Sequence, residues 1–98
     1  MGIKYKKDYK DIIKELTEAV IKLEKCYEFA GMNFNDWQQL NNKQQKELIK
    51  TLADDIFYAL GNNPRLKIGS GTATYDNKKQ IIKVKDKANN FLKIIHLM

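Results

Sequence analysis

Cysteine, arginine, histidine and long apolar runs are all scarce in this chain, and each scarcity closes off a class of protein. Cys26 is the only cysteine, so no internal disulfide forms and the chain suits a reducing compartment. Arg65 is the only arginine among eighteen basic residues. Base reading and bidentate phosphate contacts favour arginine, so sequence-specific DNA recognition is disfavoured. His96 is the only histidine, and no catalytic, cofactor or metal-binding motif accompanies it. The longest purely apolar or aromatic run, Ile56 to Leu60, is far shorter than the roughly 20 residues that cross a bilayer. The start, Met1-Gly2-Ile3-Lys4-Tyr5-Lys6, has no apolar signal core and carries Lys6 where a myristoylation signal needs Ser or Thr. The expectation is a cytoplasmic protein without cofactor or metal, and with no membrane partner.

What the chain does have is lysine, unevenly placed. With 98 residues, 43% of them hydrophobic, it fits one domain with a modest core. From Arg65 to Met98, Arg65 and seven lysines face only Asp76 and Asp86, a surplus of six that equals the formal charge of the whole chain. Residues 1–64 balance ten lysines with ten carboxylates. A pI near 9.4 invites a polyanionic partner, because Lys neutralises phosphates and releases their counterions. Nine Asn with many Lys and Ile also suit an AT-rich genome, in which part of the basicity is codon bias with no partner behind it.

The neutral part reads as helix. Tyr9, Ile12, Ile13, Leu16, Ala19, Val20, Leu23, Cys26, Tyr27 and Ala30 recur at three- and four-residue steps, predicting one long helix from Asp8 to Ala30 ended by Gly31. Cys26 lies on that stripe as a packed thiol. A short helix around Phe34, Trp37 and Leu40 starts at Asn33 or Asn35, and Trp37 is read as packing between helices. Asn42 with Gln45 forms a capping box for a second long helix, whose stripe is Leu48, Ile49, Leu52, Ile56, Phe57 and Leu60, and which Gly61 to Pro64 stop. Asp54 and Asp55 are adjacent in sequence only and point about 100° apart, so they form no acid/base dyad.

The basic part reads as strands. A two-residue turn at Asn77-Lys78 pairs Tyr75 with Gln80 and Ala73 with Ile82. Ile82, Val84, Ala73 and Tyr75 then face inward, while Lys83 and Lys85 face water. Leu66 and Ile68 flank Lys67 with the opposite parity, so Gly69-Ser70-Gly71 is expected to bulge within one continuous strand. A three-residue loop with left-handed Asn89 leads into the last strand. With Leu92 and Ile94 inward, Val84 meets Leu92, Lys83 meets Lys93 and Lys85 meets Phe91, leaving Phe91, Ile95 and Leu97 as an outer apolar patch. The expected fold is α+β, two long helices and one short helix packed on one face of a three-stranded antiparallel β-meander.

The expected function is that of a small non-enzymatic binding or regulatory protein. Its basic sheet face, with Lys67, Lys83, Lys85, Phe91, Lys93 and Ile95 in contact, meets an acidic protein or nucleic acid, and a homodimer through the same face is the other partner considered. The layout, helices first and a basic antiparallel meander after, is similar to that of small ribonuclease toxins, a likeness of layout alone. It implies acid/base roles for His96 and Tyr75, with Lys67, Lys83 or Lys93 stabilising the phosphorane formed on RNA. A sequence-tolerant nucleic-acid binder is the remaining alternative; it wants aromatics among its lysines, and Phe91 is the only one expected on that face.

Overall fold

The structure, a computed structural model, describes residues 3–98, so the Met1-Gly2 start of the N-terminal reading lies outside it. The fold is α+β: among the described residues three α-helices, α1 (Tyr9–Val20), α2 (Phe34–Gln39) and α3 (Asn42–Leu60), precede an antiparallel sheet of β1 (Arg65–Ile68), β2 (Gly71–Asp76), β3 (Ile81–Lys85) and β4 (Phe91–His96) in the order β1-β2-β3-β4. Among the described residues no helix is long and apolar enough to cross a membrane.

The first helical stripe is buried as its spacing requires, from Ile12 through Leu16 to Val20, Leu23 and Cys26, but the helix is not continuous. It stops at Val20, the chain turns through Lys25 in the left-handed region (φ 61°), and residues Cys26–Ala30 resume as a 3₁₀ helix capped by left-handed Gly31. The turn makes a tertiary contact. The Glu24 carbonyl accepts a hydrogen bond from the Ser70 N–H at 2.9 Å, so a group an uninterrupted helix would keep for itself anchors the β1–β2 turn. Asn33 caps α2, its side chain accepting from Asp36 N–H. The capping box of α3 lies one residue earlier than expected, with Asn41 and Gln44 exchanging side-chain and backbone hydrogen bonds at 2.8 and 2.9 Å.

The sheet has four strands where the sequence suggested three. Gly69 and Ser70 form a hairpin turn instead of a bulge, so the segment doubles back and pairs Leu66 with Ala73 and Lys67 with Thr72. That reversal brings Leu66 and Ile68 to the same side as Ala73, which the bulge was invoked to achieve. The β2–β3 register is displaced by two residues from expectation, Tyr75 meeting Ile82 and Ala73 meeting Val84. The Asp76 carboxylate accepts from Lys78 N–H and Lys79 N–H and widens the turn to four residues. A two-residue shift preserves facing, so Ile82 and Val84 are fully buried with Ala73.

In β4 Leu92 packs against the core as expected, but beyond it the facing is reversed. Lys85 pairs with Phe91 as expected, but a bulge at Val84/Lys85 sets Val84 against Lys93, Ile82 against Ile95 and Lys83 against Ile94. Ile95 and Leu97 are therefore fully buried, and Ile94 is 41% exposed. One core unites Ile12, Leu16 and Val20 of α1, Ile49, Ile56 and Leu60 of α3, and Ile68, Ala73, Ile82, Val84 and Ile95 of the sheet.

Candidate basic sheet face

Residues that alternate with those core positions line the other side of the sheet in three cross-strand rows. The first runs Lys67, Thr72, Lys85, Phe91, the second Arg65, Thr74, Lys83, Ile94, and the third Asp76, Ile81, His96. Same-face neighbours along a strand stand about 7 Å apart and adjacent strands about 4.8 Å apart. Arg65, Lys67, Lys83 and Lys85 thus form a lattice of four cations across β1 and β3, separated by the threonines of β2. Phe91 and Ile94, 54% and 41% exposed, sit at the β4 end.

The cations are held to the aromatic. Lys85 Nζ lies 4.7 Å from the Phe91 ring centroid and Lys83 Nζ 6.0 Å from it, contacts worth about 0.5–1 kcal/mol each at an exposed site. Asp76 is the single carboxylate in the three rows, 3.8 Å from Lys83 Nζ. Hydrogen bonds from the Lys79 and Lys78 backbone N–H groups, with the Lys83 charge adding to them, hold its carboxyl below the usual carboxylate value. It remains ionised and partly neutralises Lys83, leaving Arg65, Lys67 and Lys85 with no carboxylate within ion-pair distance among the described residues.

Of the expected contact residues, Lys67, Lys83, Lys85 and Phe91 come together. Lys93 and Ile95 do not, because the β4 bulge turns both inward. Ile95 is in the core, and Lys93 reaches Glu15 of α1 at 3.7 Å, a carboxylate that Lys7 also contacts. The expected Lys83–Lys93 repulsion is absent, since Lys83 faces Ile94 and Lys93 faces Val84. The expected Phe91, Ile95, Leu97 patch is replaced by Phe91 and Ile94. Arg65 and Ile94 are the members that sequence reasoning missed. Arg65 shares the parity of Lys67 and was open to inference, whereas Ile94 depended on a bulge that no residue announces.

The expected acid/base pair is divided by the sheet. His96 is exposed in the Asp76–Ile81 row, whereas Tyr75 packs against the core beside Ile82 and donates its hydroxyl hydrogen bond to Asn77 Oδ1 at 3.2 Å. Cys26 is 2% exposed and burial pushes its thiol up, so it stays protonated at neutral pH and is no nucleophile. No three His, Cys, Asp or Glu side chains converge as metal ligands among the described residues. Compared with known proteins, the chain matches no family model, no curated protein and no solved structure.

Proposed function

We propose that this protein is a non-enzymatic binding module that offers the open face of its sheet to an acidic partner, an acidic protein surface or a nucleic acid. In this reading the helices cover the opposite face, and the module works in the reducing cytoplasm, where a lone buried thiol is stable. The observation that carries it is the convergence of Arg65, Lys67, Lys83 and Lys85 around Phe91 and Ile94, with Asp76 as the only opposing charge. Apolar groups set among cations give an interface something to bury as well as something to neutralise. Lysine-rich, arginine-poor contacts make it electrostatic and tolerant of sequence.

The test is retention on a heparin column, a generic polyanion, by the wild type and by Arg65→Gln/Lys67→Gln/Lys83→Gln/Lys85→Gln. The wild type should elute at distinctly higher salt. Equal elution would remove the sheet face from consideration. Capture from a cell extract with and without nuclease then separates the two partner classes, a nuclease-resistant partner being protein. The ribonuclease alternative has lost its expected pair of groups. RNA cleavage by the purified protein that disappears in His96→Ala would nevertheless put that alternative first.

A further inference from the structure

A second basic site lies among the helices, built from residues in the part of the chain whose net charge is zero. The helices α1 and α3 run antiparallel, since Tyr9 at the start of α1 meets Asp54 and Phe57 near the end of α3. Between them runs a groove of about 460 Å³. Lys10 and Lys14 stand on the α1 bank and Lys46 and Lys50 on the α3 bank, all four exposed, over a floor that includes buried Ile13 and Thr17. None of these lysines has a carboxylate within ion-pair distance among the described residues, although Glu15 collects two lysines. Each bank is a like-charge pair at i,i+4, a spacing that destabilises a helix. Asp11 and Asp54 also line the groove, so its four lysines face two carboxylates.

The groove has a closed end and a cationic end. At the first, the Tyr9 hydroxyl donates to Asp54 Oδ1 at 2.6 Å and ties the two helices together. Burial and that hydrogen bond push the phenol up, so it stays protonated and the tie holds at neutral pH. Asp54 repels an anion there. At the other end Lys14 and Lys46 are the lysines farthest from Asp54, and Thr17 spends its hydroxyl on the Ile13 carbonyl at 2.7 Å; Asp11, one turn before Lys14, is the remaining carboxylate of the lining. From Tyr9 to Thr17 the floor extends about 12 Å at 1.5 Å per residue. A short groove tied shut at one end takes a discrete molecule in preference to a helix or strand running through it, and its volume falls in the range of about 300–1,000 Å³ usual for small ligands.

We infer that this groove binds a free small-molecule anion with an apolar body, its carboxylate, sulfonate or phosphate head between Lys14 and Lys46 and its body over Ile13. The site is independent of the sheet face. Octyl phosphate, titrated below its micelle concentration and followed by amide NMR shifts, is the probe. The expected result is saturable shifts confined to residues 9–17 and 46–54, with affinity at least tenfold lower in Lys14→Gln/Lys46→Gln and unchanged in Lys83→Gln/Lys85→Gln. Inorganic phosphate and octanol, each tested alone, should bind at least tenfold more weakly than octyl phosphate. Inorganic phosphate binding as well as octyl phosphate would reduce the groove to a patch of charge and overturn the inference. So would shifts spread over all the lysines, no shift at all, or binding of an acidic helical peptide or of acidic phospholipid vesicles at this groove while octyl phosphate fails.

Discussion

At Gly69 the backbone has φ +56°, and a Cβ there would lie 2.5 Å from the Glu24 and Lys25 carbonyl oxygens. Gly31 has φ +74° with nothing within 4 Å of such an atom. The two glycines therefore separate conformational strain from steric exclusion. Gly31→Ala should lose only the left-handed preference, about 1 kcal/mol. Gly69→Ala must also push apart the hairpin and the turn before Cys26, so it should lose more, on the order of 2–4 kcal/mol; equal losses in urea unfolding would show that the close approach yields freely. Asp76 offers a test through pH. Its folded-state value lies below the unfolded one, so its charge contributes stability fully above about pH 4, and that contribution disappears as pH falls through the lowered value. Asp76→Asn keeps an oxygen for the Lys78 and Lys79 N–H groups and removes only the charge. The variant should be less stable than wild type at pH 7, and the gap should close by about pH 2. A gap that persists in acid would mean that the carboxylate acts through shape alone.

Among the elements, β4 is where sequence and structure part most sharply. Phe91-Leu92-Lys93-Ile94-Ile95-His96-Leu97 offers two apolar sets of opposite parity, Leu92 with Ile94 and Ile95 with Leu97, and period-2 alternation does not choose between them. The three-residue loop with left-handed Asn89 was legible, as was the Lys85–Phe91 pair beyond it. A single bulged residue then kept Leu92 against the core, turned Ile94 out and Ile95 and Leu97 in, and carried Lys93 to Glu15 on α1, a partner that no local pattern reveals. Ile95→Ala should accordingly cost about 2–4 kcal/mol as a cavity in the core, and Ile94→Ala less than about 1 kcal/mol. The reverse order in chemical denaturation would restore the original facing. Other elements were open to reading where local chemistry decides them: α3 between an Asn cap and Gly61, the Asn33 cap of α2, and the inward set Ile82, Val84 and Ala73. Where a distant carbonyl or turn decided, the pattern misled. Residues Asp8 to Ala30 carry an unbroken helical stripe, yet the helix ends at Val20 and the turn that follows gives its Glu24 carbonyl to Ser70. Gly69 to Gly71 suited a bulge as well as a hairpin, and the hairpin closes onto the turn that this break creates.

For the molecule as a whole, the question is whether its charge helps or hinders the fold. Six net positive charges sit on 98 residues. Against them stand, among the described residues, four ion pairs, Lys7–Glu15, Lys93–Glu15, Lys83–Asp76 and Lys87–Glu24, none of which has both partners buried, and pairs of that kind contribute about 0–1 kcal/mol each. The cations of the sheet face repel across spacings of about 7–10 Å. That is inside the Debye length of about 30 Å at 0.01 M ionic strength and beyond the length of about 3 Å at 1 M. Salt should therefore screen more repulsion than attraction. Tm is expected to rise between 0.01 M and 1 M NaCl, and for a domain of this size a gain of 1 kcal/mol corresponds to about 4–8 °C. In the variant with Arg65, Lys67, Lys83 and Lys85 all changed to Gln, the low-salt Tm should already be higher and the rise with salt smaller. A wild-type Tm that falls with salt would mean that the two lysines around Glu15 outweigh the sheet face. The same repulsion gives an acidic partner a second effect besides contact: by neutralising the face it favours the folded state in proportion to its saturation. A polyanion such as heparin, added at 0.01 M ionic strength, should then raise the Tm of the wild type and do much less for the quadruple variant. An equal rise in both would mean that the anion stabilises the protein from some other surface, and would move attention from the sheet to the groove between α1 and α3.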